Sequence, residues 1–169
     1  MEEVRKRLPF DLTPGQKQAL SDILGDLSAP LVSQRLIQGD VGSGKTIVAF
    51  LAMLACLENG FQAVIMAPTE VLARQHEKEF IRLCREYALP YSVVCLTGSS
   101  TAKEKRKIQS RISEEDALFI VGTHALIQET VEFRDLALVV TDEQHRFGVR
   151  QRKILASKGQ SPNVLVMSA

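Results

Sequence analysis

The sequence has no tryptophan, only three cysteines and no apolar run long enough to cross a membrane. Its longest such run, residues 47–57, covers 11 positions, too few for a bilayer but suitable for a buried helix. Cys56, Cys84 and Cys95 lie far apart, without the spacing of zinc ligands, and we expect them to be small core residues. No charged and then apolar leader opens the chain, so we expect a cytoplasmic protein without a membrane partner.

The sequence also has almost no excess of charge of one sign, because 21 basic residues face 20 acidic residues and the net charge is +1. Residues 101–111 nevertheless carry 5 basic residues against 1 acid, and residues 146–158 carry 5 basic residues and no acid. Such runs usually form solvated helix faces, so alone they do not indicate a nucleic-acid partner. A length of 169 residues, with 45% hydrophobic and 24% charged residues, is typical of one globular domain.

Short apolar runs alternate with sequence of helical periodicity along the whole chain. Thr13 followed by Pro14 predicts a capped helix start, and Thr101 with Glu104 matches a capping box. Strands are predicted at residues 35–38, 63–66, 92–96, 118–121, 137–141 and 164–167. Continuous apolar strands separated by helices indicate an α/β fold of three layers, with a mostly parallel central sheet.

One glycine-rich segment lies between the first strand and an apolar helix. It matches G-x-x-x-x-G-K-[ST] in full, a pattern whose backbone N–H groups converge on phosphates. We therefore expect ATP to be bound by Gly39, Asp40, Val41, Gly42, Ser43, Gly44, Lys45 and Thr46. Lys45 would reach the β- and γ-phosphates, and the Thr46 hydroxyl would ligate Mg²⁺. A chance match in a glycine-rich turn is the alternative.

Two adjacent acids follow the fifth predicted strand. Ligands of such sheets bind beyond the carboxyl ends of the strands, where Asp142 would hold Mg²⁺ and Glu143 would orient the attacking water. With Lys45 these acids are the predicted catalytic residues. An acidic surface turn is the alternative, since Asp-Glu alone is a weak signal.

Residues 142–152 closely resemble the motif II region of the RecG family, bacterial ATP-dependent DNA helicases of superfamily 2 that remodel stalled forks. RNA helicases of the DEAD type carry Ala-Asp where this chain has Gln144 and His145. Repair-coupling and primosomal helicases are similar around the motif. Further segments resemble the family in order, namely residues 8–16, 38–46, 67–76, 96–99, 122–127 and 167–169.

The resemblance implies a RecA-like P-loop NTPase domain that uses ATP and Mg²⁺ and binds forked or branched DNA in repair and recombination. It implies that Gln16 reads the adenine edge, although an exposed helix residue would have the same spacing. The implied DNA-binding residues are Pro68, Thr69, Arg74, Thr97, Gly98, Thr123 and His124. The implied residues that couple nucleotide state to DNA grip are Gln144, His145 and Ser168.

Simpler roles remain open for several of these residues. Thr69 and Thr123 equally suit helix caps, Arg74 suits a solvated helix face, and His145 suits a hydrogen-bonded structural histidine. His76 does not lie at metal-ligand spacing from His145.

By the resemblance, residues 1–169 form the first motor domain and end inside motif III. The expectation is an excised fragment that lacks the second RecA-like domain, with its arginine, and the DNA-binding wedge domain. Such a fragment would bind nucleotide weakly and hydrolyse it very slowly. The rival functions are a nucleotide-dependent switch, a P-loop kinase of small molecules and an RNA helicase.

Overall fold

A computed structural model describes residues 11–39, 44–142 and 148–168 of the chain. Helices and strands alternate through these residues. In chain order they are α1 (Pro14–Ser28), β1 (Gln34–Gln38), α2 (Lys45–Glu58), β2 (Gln62–Met66), α3 (Glu70–Glu86), β3 (Val93–Leu96), α4 (Ala102–Glu114), β4 (Phe119–Gly122), a 3₁₀ helix (His124–Ile127), β5 (Leu136–Thr141), α5 (Val149–Ser157) and β6 (Asn163–Ser168).

The strands form one sheet in the order β1-β6-β5-β2-β4-β3, and every neighbouring pair is parallel. All six predicted strands are therefore confirmed, as is the parallel sheet. Strand β2 lies inside the sheet with every residue buried, whereas β1 at the edge alternates between exposed and half-buried residues.

Each face of the sheet carries its own apolar core, which makes the fold three-layered. On one face, strand residues such as Ile65 and Val140 pack with α1, α2 and α3. On the other face, Val64 and Val139 pack with α4, α5 and the 3₁₀ helix. Because successive strand residues point to opposite faces, continuous apolar strands are required to fill both cores.

The apolar helix α2 is the centre of the first core. The ring of Phe50 in α2 stacks on Phe119 of β4 at a centroid distance of 5.0 Å and meets Phe80 of α3 edge-on at 5.2 Å. Such aromatic pairs contribute about 0.5–1.5 kcal/mol beyond the area that they bury. These contacts fix α2, and with it the start of the helix at Lys45, against the sheet.

Side-chain caps set the starts of three helices. Thr13 caps α1, as predicted, and forms a reciprocal capping box with Gln16. Thr101 and Glu104 form the predicted capping box at α4. Thr69 caps α3 by accepting a hydrogen bond from the backbone of Leu72 at 3.3 Å. These side chains satisfy N–H groups that the first helical turn leaves unpaired.

Gln62 is a buried polar anchor at the start of β2. Its side-chain amide donates to the carbonyls of Ile112 at 2.6 Å and Glu115 at 2.9 Å, and its carbonyl accepts from the N–H of Arg134 at 3.0 Å. One side chain thereby ties the sheet to the end of α4 and to the segment that precedes β5.

The three cysteines are buried and unpaired, as predicted. No helix among the residues described here has the length and apolar character needed to cross a membrane.

Candidate active site

All the strands of a parallel sheet end on the same edge, and several of the predicted site residues in the described parts of the chain lie there. Gly39 and Asp142, predicted to serve the nucleotide, lie at the ends of β1 and β5, and Ser168, predicted to couple nucleotide state to DNA grip, lies at the end of β6. The ends of β2, β3 and β4 lead directly into the predicted DNA-binding residues, namely Pro68, Thr69, Thr97, Gly98, Thr123 and His124. The edge is thus divided into two halves, which meet where β5 pairs with β2.

The ammonium of Lys45 lies within the first half. It donates to the carbonyl oxygens of Gly39 at 2.7 Å and Ser168 at 3.1 Å. The N–H of Gly39 also donates to Ser168 O at 3.1 Å. Ser168 therefore contacts both Gly39 and Lys45, near the two ends of the predicted phosphate loop (residues 39–46). A movement of Ser168 would displace an acceptor of the Lys45 ammonium.

Gly44, which precedes α2, has the left-handed backbone that glycine favours, with φ at 79°. A Cβ added there would lie 2.1 Å from the side-chain nitrogen of Gln16. That nitrogen lies 3.5 Å from Gly44 O, while the Gln16 oxygen accepts from the N–H of Thr13 at 2.8 Å. Gln16 is therefore a half-buried helix-cap residue that also contacts the loop.

A cavity of about 230 Å³ lies between α1, α2 and the end of β1, lined by residues that include Gln16, Ile37 and Lys45. Pockets that enclose a whole drug-sized ligand measure about 300–1,000 Å³. The cavity therefore suits part of a nucleotide. A larger cavity of about 720 Å³ lies at the opposite edge, beside residues such as Leu31 and Phe61, and holds none of the predicted site residues.

Several predicted residues lie outside the described parts of the chain. They are Asp40, Val41, Gly42 and Ser43 of the loop, and Glu143, Gln144 and His145 after β5. Their assignments remain predictions from the sequence.

Asp142 has a partner that the sequence analysis missed. Its N–H donates to Met66 O at 2.9 Å, which fastens the end of β5 to β2. Its carboxylate Oδ2 lies 2.6 Å from Nε2 of His76 in α3, and both side chains are largely buried. The signal in the sequence was that His76 falls on the same helical stripe as Ala73 and Phe80, where a buried polar group needs a partner.

The oxygen donors at this edge suit Mg²⁺. Thr46 lies in the first turn of α2, and Asp142 follows β5. Across residues 11–39, 44–142 and 148–168, no group of three or more His, Cys, Asp or Glu side chains could hold a metal. Magnesium commonly takes one or two protein oxygens together with phosphates and waters, so a hydroxyl and a carboxylate fit it better than they fit zinc.

In the second half of the edge, the hydroxyl of Thr97 is turned inward. Thr97 is fully buried and donates to the carboxylate of Glu70 at 3.1 Å. Ser99 donates to the same oxygen, and these hydrogen bonds, that from Ser99 first, lower the pKa of Glu70. Gly98 between them is exposed, so the loop offers its backbone at the surface.

The other predicted DNA contacts are accessible to different degrees. Pro68, Thr69 and His124 are exposed, and Thr69 is at the same time the cap of α3. Within the described residues, the hydroxyl of Thr123 makes no capping bond to the 3₁₀ helix. The guanidinium of Arg74 is half-exposed and lies 2.9 Å from Glu77, a carboxylate with which a DNA phosphate would compete.

The sequence profile of DEAD/DEAH box helicases matches residues 13–169. The chain belongs to the DEAD/DEAH box helicase family. This helicase domain is 50% identical over 166 residues to the ATP-dependent DNA helicase RecG of Aquifex aeolicus, which covers 97% of this chain and 21% of that protein. It is also 50% identical over 169 residues to RecG of Synechocystis sp., covering 100% of this chain and 20% of that protein.

Solved structures agree with the sequence relatives. The helicase domain superposes on a structure of RecG bound to a three-way DNA junction with a TM-score of 0.85 and 46% identity, covering 99% of this chain and 22% of that one. The DUF1998 helicase MrfA shares the fold at 18% identity and a TM-score of 0.75, covering 100% of this chain and 29% of that one. The predicted RecA-like fold and the resemblance to RecG are thereby confirmed. The domain spans about a fifth of the length of these RecG relatives.

Proposed function

We propose that this chain is the ATP-binding motor domain of a DNA helicase or translocase that remodels branched DNA in repair and recombination. The observation that supports this function most directly is the divided edge of the sheet, where Lys45 and Asp142 occupy one half and the ends of β2, β3 and β4 occupy the other. The relatives are named ATP-dependent DNA helicases, and one was solved on a three-way DNA junction.

In the nucleotide half, catalysis is electrostatic and positional. Lys45 would exchange its carbonyl partners, Gly39 and Ser168, for the β- and γ-phosphate oxygens of ATP. Thr46 and Asp142 would hold Mg²⁺, which supplies charge neutralisation for the phosphates when bound. Glu143 would orient the attacking water. Gln16, beside the cavity, would contact the base by its amide.

In the DNA half, binding would be to the phosphate backbone and independent of base sequence. The exposed backbone around Gly98, the hydroxyl of Thr123 and the charge of Arg74 suit phosphate oxygens, whereas the N–H of Thr123 already donates to Leu96 O. Because such contacts release counterions, the affinity should fall steeply with salt.

We propose that a second RecA-like domain completes the site in the whole protein, as the small size of the cavity near Lys45 suggests. In P-loop NTPases, an arginine finger that stabilises the charge of the transition state accelerates hydrolysis by about 10³- to 10⁵-fold, and the second domain would supply it here. The 169-residue chain alone is therefore expected to bind nucleotide weakly and to turn it over very slowly. The same proposal places the whole protein in the cytoplasm, with DNA as its partner.

The experiment is equilibrium binding of a fluorescent ATP analogue to the 169-residue chain, with and without Mg²⁺. Lys45→Ala should weaken binding about 10- to 100-fold, since a charged hydrogen bond contributes about 1.5–3 kcal/mol. Lys103→Ala, at an exposed position on α4, is the matched control and should bind as the wild type does. Equal affinity of the Lys45 variant and the wild type would remove the phosphate-loop assignment.

A second experiment tests whether ATP hydrolysis is coupled to DNA, as the proposed motor function requires. In a full-length RecG-family polypeptide that carries this domain, a three-way DNA junction should raise ATP hydrolysis and RNA should not. Stimulation by RNA alone would favour an RNA helicase, and the absence of stimulation by any nucleic acid would favour a nucleotide-dependent switch.

A further inference from the structure

The boundary between the two halves of the edge is crossed by one helix. Helix α3 begins directly after β2 with the cap Thr69, carries Arg74 in its second turn, and brings His76 back over the sheet. Because β2 lies beside β5 in the sheet, the His76 side chain contacts Asp142, the residue that follows β5. Helix α3 therefore carries predicted DNA contacts near its start and, through His76, contacts the half of the edge that holds Lys45 and Asp142.

The contact between His76 and Asp142 is short and largely excluded from solvent. Nε2 of His76 lies 2.6 Å from Oδ2 of Asp142, with 10% of the histidine side chain and 15% of the aspartate side chain exposed. A carboxylate only accepts hydrogen bonds, so the imidazole N–H is the donor. The Phe80 ring, with its centroid 6.2 Å from that of His76, lies against the imidazole on the same helix. The histidine is thus held in place by packing.

Asp142 is consequently fixed from two directions. Its backbone N–H is bonded to Met66 of β2, and one carboxylate oxygen is bonded to His76 of α3. These two contacts restrict the orientation of the carboxylate at the end of β5. Carboxylates that ligate metals are generally oriented by outer partners of this kind, and removing such a partner typically costs about 10- to 100-fold in metal affinity.

We propose that His76 is a positioning residue that orients Asp142 toward Mg²⁺ and transmits the position of α3 to the metal site. This inference rests on the proposed function, because it requires Asp142 to be the magnesium carboxylate. A shift of α3 on DNA binding would move His76 with it and change the orientation of the Asp142 carboxylate. By linkage, Mg-nucleotide must change DNA affinity by the same factor as DNA changes Mg-nucleotide affinity.

The first test separates metal binding from nucleotide binding. In the 169-residue chain, binding of a fluorescent ATP analogue is measured against Mg²⁺ concentration and again in EDTA. His76→Phe keeps a ring of similar shape but removes the donor, and it should raise the half-saturating Mg²⁺ concentration about 10-fold or more. Its affinity in EDTA should equal that of the wild type, a result that a merely structural defect would not give.

Two control variants keep the test decisive. His76→Gln retains an N–H at similar reach and should restore most of the wild-type Mg²⁺ dependence, whereas Lys78→Ala, exposed on the same helix, should change nothing. If His76→Phe lowers the thermal unfolding midpoint too far for binding work, His76→Leu replaces it. A wild-type Mg²⁺ dependence in the folded Phe or Leu variant would overturn the proposal.

The second test addresses the link to DNA. The affinity of the chain for a fluorescent three-way junction is measured with and without a Mg-bound, non-hydrolysable ATP analogue. The ratio of the two affinities should move toward one in His76→Phe, while DNA affinity without nucleotide stays unchanged. An unaltered ratio would overturn the transmission role. If the wild type shows no Mg²⁺-dependent nucleotide binding at all, the proposed function fails first, and this inference fails with it.

Discussion

The contact between Gly44 and Gln16 gives a prediction whose magnitude can be derived from the structure. Gly44→Ala adds a methyl group at a left-handed residue, φ 79°, and that methyl would lie 2.1 Å from the side-chain nitrogen of Gln16. Two effects must therefore add, namely the backbone strain of the alanine and the displacement of the glutamine. Because the obstructing atom is the end of a flexible side chain, Gln16 is expected to swing away rather than distort α2.

The first part of the cost is the backbone strain of a left-handed alanine. A left-handed alanine costs about 1–2 kcal/mol relative to its preferred conformations. The smaller entropy of the unfolded chain offsets about 0.4–1 kcal/mol of this, which leaves about 1 kcal/mol. The displaced Gln16 loses its 2.8 Å bond to Thr13, which as a typical hydrogen bond contributes about 0.5–1.5 kcal/mol, and its 3.5 Å contact with Gly44, which adds little at that length. The sum for Gly44→Ala is about 2 kcal/mol of unfolding free energy.

Gly60 offers a matched control within the same chain. Its φ is 83°, and among the described residues nothing lies within 4 Å of a Cβ added there. Gly60→Ala should therefore cost only the backbone effect, about 1 kcal/mol. In a Gln16→Ala background, Gly44→Ala should also cost about 1 kcal/mol, since the obstruction is gone.

Urea unfolding followed by circular dichroism measures these differences, provided that the m-values agree between variants. Equal costs for Gly44→Ala and Gly60→Ala, together with additivity of the Gln16 and Gly44 substitutions, would refute the contact between Gln16 and the phosphate loop.

Three further outcomes are expected from single changes. Glu143→Gln should keep Mg-ATP binding but slow hydrolysis about 10²- to 10⁴-fold in a polypeptide with both motor domains; loss of binding as well, measured by the fluorescent analogue, would make Glu143 structural. Burial raises the pKa of Cys56 to about 12, that of Cys84 to about 11 and that of Cys95 to about 12, so a disulfide reagent at neutral to mildly alkaline pH should label none of them until the protein is unfolded. Rapid labelling of the native protein would contradict their burial. Gln62→Leu should lower the unfolding free energy by about 2–4 kcal/mol, because it leaves buried backbone groups unpaired, and a change below about 0.5 kcal/mol in a urea titration would show that water replaces the side chain.

Local features of the fold were predictable because they depend on neighbouring residues. The caps Thr13 and Thr101 bond within their own first helical turns, and apolar runs of four to six residues between helices indicate buried parallel strands. The position of the glycine-rich loop between β1 and α2 followed from the same reasoning. Each of these predictions required only a short window of sequence.

Long-range pairing was not predictable in the same way. Strand β1 pairs with β6, so Gln34 is opposite Val164, and nothing in either segment selects the other. His76 meets Asp142 across 66 positions, and Gln62 meets Arg134 across 72. The sequence showed only that polar residues stood in apolar surroundings, and the identity of their partners depended on the strand order.

The most direct test of the proposed mechanism is a crystal structure of the chain with Mg²⁺ and a non-hydrolysable ATP analogue. The proposed mechanism predicts the triphosphate inside the loop of residues 39–46, with Lys45 on its outer phosphates and Mg²⁺ between Thr46 and Asp142, whose carboxylate still accepts from His76. A nucleotide bound away from that loop, or an Asp142 carboxylate turned away from the cation, would contradict the assignment of this edge of the sheet as the active site.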